Sequence, residues 1–204
     1  MARRGSGFAS AAGLALALLV GASAAGAQQA QRISGLFIET GDNALTVKTE
    51  AGEAIRVALT ANLTVARLEK ATVADLKPGT FVGVGARPQK DGTQQAVQIV
   101  IFPESMRGTG EGHRAWGVMP EATMTNGAIA ETVQAVDGPN FTLAYKGGAQ
   151  KVTTPAEASI LALKIVSRGD LKPGLRGQLV ATPQGDGSLG AARVTLWAEG
   201  VTPY

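Results

Sequence analysis

The sequence predicts an all-β protein that uses one small barrel twice, and three features predict it. Asp75-Leu76-Lys77-Pro78-Gly79 recurs as Asp170-Leu171-Lys172-Pro173-Gly174, 95 residues further on. Carried forward without a gap, residues 75–104 match residues 170–199 at 12 of 30 positions, including Pro88/Pro183, Asp91-Gly92/Asp186-Gly187 and Glu104/Glu199. Between these landmarks, short runs of Val, Thr, Leu and Ile are separated by Gly, Pro, Asp and Asn, the pattern of brief strands joined by tight turns. Five or so strands per copy is the number that closes a small barrel of the OB kind. The expected architecture is two tandem OB-like barrels related by internal duplication and joined by an irregular loop. A sandwich shared by both copies is the alternative.

In chain order, Ile33–Glu39 and Ala44–Thr49 flank Gly41-Asp42-Asn43, a loop that folds two strands into a hairpin, and Glu50–Glu53 turns the chain into Ile55–Leu59. Residues 63–74 read as a short strand or one turn of helix. The repeated Lys-Pro-Gly is a sharp corner, because Pro presets φ near about −65° and Gly supplies the positive φ that a type II turn needs next. It feeds Phe81–Ala86. Asp91-Gly92 reads as a type I′ hairpin turn, followed by Ala96–Phe102. The second copy repeats the order: Ile129–Val136, a turn at 137–139, Phe141–Tyr145, Gly147-Gly148, Lys151–Thr154, Ile160–Val166, Leu175–Ala181, Asp186-Gly187 and Ala192–Trp197. Alternation in the last strand assigns Ala192, Val194 and Leu196 to one face and Arg193, Thr195 and Trp197 to the other.

The N-terminal residues read differently. Arg3 and Arg4 precede the apolar run Leu14–Val20, and Ala25-Gly26-Ala27 is an A-x-A cleavage pattern. Residues 1–27 are therefore expected to be a signal peptide cut after Ala27, which sends the mature chain to the periplasm or out of the cell. The apolar run is shorter than the roughly 20 residues of a membrane span. The remaining chain divides into a first barrel repeat at 28–105, a connector at 106–127 and a second repeat at 128–204. Two of the 19 Lys and Arg lie in the signal and none of the 16 Asp and Glu, so the mature charge is 17 − 16 = +1. Such a balance offers no broad cationic field for nucleic acid. The absence of Cys excludes thiol catalysis, thiolate metal sites and disulfides.

The run "DLKPGTFVGVGARPQKDGTQQAVQI" and its second copy "DLKPGLRGQLVATPQGDGSLGAARV" resemble a family of exported bacterial β domains of unknown function, found in tandem. The resemblance spans both repeats and implies an OB-like fold. Its motif is turn chemistry, so it carries no catalytic residues. The second copy departs at Arg176-Gly177, where the first has Phe81-Val82.

Chemistry is expected, if anywhere, between the repeats. Pro103–Gly127 holds Met106, Met119 and Met124, the single His113, and Trp116. Its five Gly and lack of periodicity read as an ordered loop. Thioether and imidazole donors suit Cu(I), so Met106, His113, Met119 and Met124 form a candidate copper site. The plainer reading is packing: Met and Trp pin the connector into the groove between two barrels. The Gly108–Gly112 run lacks the Gly-Lys-Ser/Thr ending of a phosphate loop, and Glu111 opposes an anion there. One His with no nucleophile setting yields no triad, and Asp75, Asp91, Asp170 and Asp186 are turn residues. The sequence thus points to a non-enzymatic envelope module that docks a protein partner, with a small-ligand or Cu(I) carrier as the alternative. Trp197, Tyr204 and Phe102 are expected near the groove between the barrels.

Overall fold

The computed structural model describes residues 30–135 and 138–204. The expected signal peptide and its cleavage point lie outside the described residues, as do Val136 of an expected strand and Asp137 of the turn expected at 137–139, whose Gly138 and Pro139 instead begin a strand. The described strands are β1 Gln31–Thr40, β2 Ala44–Lys48, β3 Ala54–Lys70, β4 Phe81–Pro88, β5 Gln94–Ile101 and β6 Gly112–Ala115. They continue as β7 Thr123–Ala135, β8 Gly138–Tyr145, β9 Gly148–Thr153, β10 Ser159–Val166, β11 Arg176–Pro183 and β12 Leu189–Trp197. Short 3-10 turns stand at Val73–Asp75, Glu104–Met106 and Arg168–Asp170. The protein is all-β, and no helix among the described residues is long and apolar enough to cross a membrane.

β1 pairs antiparallel with β2 and β11, β2 with β3, and β11 with β12, while β12 closes the ring in parallel on β3. These five strands form a closed barrel. Its core is Phe37, Leu45, Val47, Val57, Val194 and Leu196, all at most 1% exposed. Burying each such side chain contributes about 1.5–3 kcal/mol. Strands β4, β5, β7, β8 and β9 are joined mainly by antiparallel pairs. β7 pairs with β4 and β8, β8 with β9, and β5 with β4. β5 also meets β9 in parallel at Gln94↔Val152 and Gln95↔Thr153. Val82, Val84, Ile99, Ile129 and Leu143 fill the space inside.

Hydrogen bonding links strands of residues 28–105 with strands of residues 128–204. The closed barrel takes β1–β3 from the first copy and β11–β12 from the second, and β4–β5 pair with strands of the second copy. The cause is β3, expected as the short Ile55–Leu59 but 17 residues long. An extended strand of that length runs about 55 Å, so it carries the chain out of the barrel that β1 and β2 began. At its far end β3 pairs antiparallel with β10, and Leu68 faces Leu163, a residue 95 positions further on. The offset equals that of the repeated pentapeptide.

Other details depart from the sequence reading with clear causes. The hairpin at Asp91-Gly92 is not type I′: Gly92 has φ 84° and Asp91 does not have positive φ. Gly92 N–H donates to Gln89 O at 3.0 Å, and Asp91 Oδ1 accepts from Thr93 N–H at 3.0 Å, giving a three-residue loop that ends on one left-handed glycine. Gly187, Gln184, Asp186 and Ser188 repeat it. In β12, Val194 and Leu196 point into the core as expected, but Ala192 is exposed and Ala191 is buried, because the register slips between Ala191 and Arg193. The connector is not wholly irregular. Its residues 112–115 form β6, a hairpin partner for the start of β7.

Candidate ligand-binding cleft

Three apolar clusters organise the molecule, and the third lies where β3 crosses β10. Ala66, Leu68, Leu161, Leu163, Met106 and Val201 pack there, with Val100, Phe102 and Trp197 against them. Alternation explains it: Val57, Leu59 and Val65 of β3 face the barrel core, so Ala66 and Leu68 face the other way. A cleft of about 720 Å³ opens above this cluster, with Leu68, Leu163, Val100, Phe102 and Met106 among its lining.

The connector forms one wall. Arg107 fastens its start, donating from Nη2 to Glu104 Oε2 at 2.7 Å and to Gly79 O at 2.8 Å. That bond holds the Glu104 carboxyl below the usual carboxylate range. The β6–β7 loop is closed by Trp116 N–H to Ala122 O at 2.8 Å. Trp116 is 7% exposed and lies flat over β4, where a Cβ on Gly85 would meet its ring at 2.5 Å. The Tyr204 ring stands edge-on to Trp116 at 6.2 Å, and Tyr204 N–H donates to Gln98 Oε1 at 3.0 Å.

The expected metal donors separate into two groups. Met106 and Met124 line the cleft; His113 and Met119 do not. His113 pairs with Thr125 across the β6–β7 hairpin, next to the Met124 position, and successive strand residues point to opposite faces. The imidazole accordingly sits with Nδ1 2.7 Å from Thr125 Oγ1 and its ring stacked on Tyr145 at 6.3 Å. Met119 belongs to the turn that closes the loop. No group of three or more His, Cys, Asp or Glu suited to a metal ion occurs among the described residues. Of the aromatics expected at the groove, Phe102 and Tyr204 line the cleft and Trp197 packs in the cluster beneath it.

The sequence reading missed the polar half of the site. Arg32 of β1, Arg193 of β12 and Arg114 of β6 all line the cleft, with no Asp or Glu beside them. Asn126 is 5% exposed; its Nδ2 donates to Thr109 O at 2.9 Å, and its Oδ1 has no partner. Gly83 makes room beside that oxygen, since a Cβ there would lie 2.8 Å from Asn126 Oδ1. These residues come from four separated stretches, so no spacing in the sequence marks them. The one available signal was divergence between the copies: Arg193 stands where the first copy has Gln98, and Gln178 where it has Gly83.

No protein-family model, curated protein or solved structure matches the chain.

Proposed function

We propose that the protein is an exported, non-enzymatic binding module: two OB-like barrels, derived from one duplicated unit, that hold a small ligand in the cleft between them. Duplication is supported by the register. Gly79 N–H donates to Ile129 O and Gly174 N–H to Phe37 O, the same bond made by each copy of the pentapeptide onto the other copy's first strand. The hairpins agree too: Thr46 Oγ1 donates to Glu39 and Thr142 Oγ1 to Glu131, each at 3.0 Å beside a register slip. Export rests on the sequence of residues 1–27.

The observation that carries the binding reading is the cleft itself. Its volume of about 720 Å³ falls in the size range of small-molecule sites, and it pairs an apolar floor with a few convergent polar groups. The connector that differs from both repeats supplies its wall. We expect the neutral dye N-phenylnaphthylamine to bind at one saturable site in the micromolar range typical of modest apolar ligands, roughly 1–100 μM. Val100→Trp, which fills the floor, should abolish that signal while leaving the circular dichroism spectrum unchanged. A dye that fails to saturate, or that ignores Val100→Trp, rejects the reading.

Copper(I) is the second reading, favoured by the two thioethers of Met106 and Met124 on one cleft. Displacement of the dye by Cu(I) under anaerobic conditions is its signature. Docking of an envelope protein remains the use the sequence alone suggested, with this groove as its centre.

A further inference from the structure

The two sides of the cleft come from equivalent strands of the two copies, yet their chemistry differs. On one side stand Gly83, Val100, Phe102 and Met124; on the other Gln178, Val180, Arg193 and Thr195, with Arg32 from β1. The register makes the comparison direct: Gly85 pairs with Met124 in one place and Val180 with Arg32 in the other. The second side carries Arg32 and Arg193, and Arg114 stands on the first as the β6 partner of Met124.

Resting on the reading of the cleft as a ligand site, we propose that its ligand is a small amphipathic anion: an apolar body with one carboxylate, sulfonate or phosphate head. Three arginines and no Asp or Glu side chain line the cleft among the described residues. The ion pairs among the described residues engage Arg67, Arg107, Lys164 and Arg176, and leave Arg32, Arg114 and Arg193 uncommitted to an acid. A guanidinium matches the planar, two-oxygen face of such head groups. The apolar body lies on Val100, Phe102 and Met124.

The test compares two dyes with the same aromatic body, neutral N-phenylnaphthylamine and anionic anilinonaphthalenesulfonate, on the full mature chain. The anionic dye should bind about tenfold more tightly at low salt, the increment expected of a charge-assisted contact in a partly enclosed site. Arg32→Gln/Arg193→Gln should erase that preference without weakening the neutral dye, and added salt should do the same for the native chain. Equal affinity for both dyes, or a preference untouched by the double substitution, overturns the anionic ligand while the cleft stands as a site. Failure of both dyes overturns the cleft as well.

Discussion

At the residue scale, the departure of the second repeat at Arg176-Gly177 is answered across the barrel. Phe37 and Ile129 occupy matching places, because each accepts the pentapeptide glycine's N–H through its carbonyl. Phe37 faces Gly177, where a Cβ would lie 2.7 Å from its ring, whereas Ile129 shares its core with Val82. One apolar core uses Phe with Gly and the other Ile with Val, so volume is exchanged between positions. Arg176 follows the same logic: its guanidinium sits 5.9 Å from the Trp197 ring, in the positions where the first copy packs Phe81 on Phe102 at 5.7 Å. Gly177→Val should therefore cost at least the 1–3 kcal/mol typical of overpacking, roughly, when measured by urea unfolding. Adding Phe37→Ile should recover part of that loss and not all, since the new Cβ also meets Thr195 O at 2.4 Å. Strictly additive losses would show that the two positions do not share one volume.

At the element scale, the turns were legible in the sequence and the long strand was not. Each pentapeptide is preceded by a capped 3-10 turn. Thr72 N–H and Oγ1 both donate to Asp75 Oδ2 at 2.9 Å, and Ser167 N–H and Oγ donate to Asp170 Oδ2 at 2.9 and 2.8 Å. These bonds favour the ionised carboxyl: the Thr72 N–H is the larger cause at Asp75, the Ser167 hydroxyl at Asp170, and both acids sit below the ordinary 3.8. Thr93 and Ser188 lower Asp91 and Asp186 in the same way. A carboxyl lowered on folding stabilises the fold above its unfolded value and loses that contribution as pH falls through the folded one. The melting temperature of the native chain should therefore drop below about pH 4 more steeply than that of a variant with all four Asp changed to Asn. The variant should be the less stable at neutral pH, with the gap closing in acid; a gap constant with pH would show that these bonds do not discriminate the charged form. Short polar turn residues disclose themselves locally, which is why these four sites could be read directly. β3 hid for the opposite reason. Both faces of its second half are buried, Val65 in the barrel core and Ala66 and Leu68 beneath the cleft, so the alternation that announces a strand is missing there.

At the scale of the whole molecule, the all-β class and a closed barrel were legible in the sequence but the pairing of distant strands was not, because similarity between segments says nothing about which of them pair. The cleft was hidden for the same reason: Arg32 and Arg193 meet only once β1 and β12 have entered one barrel, and Met124 joins them from across it. This connectivity makes a definite prediction about cutting the chain. Gly108 and Gly110 have positive φ in the bend between β5 and β6, which no described strand crosses. If the chain on each side were self-sufficient, a cut there would release two folded pieces. Here β1 depends on β11, β3 on β12 and β10, and β4 on β7, so each piece lacks strands with which its own strands pair. A chain cleaved at an inserted protease site in this bend should elute from gel filtration at the mass of the intact protein. Either piece made alone should lack a cooperative melt, since Phe37, Val47 and Val57 would be left without the far wall of their core. Mixing the two pieces should restore both, at a rate that rises with concentration because closure then becomes an encounter between chains. The uncut protein should unfold in one transition, as strands shared in this way leave neither apolar core with a separate stability. Two separated transitions, or a lone piece that folds as a monomer, would mean that β3 bends back and each copy closes on itself.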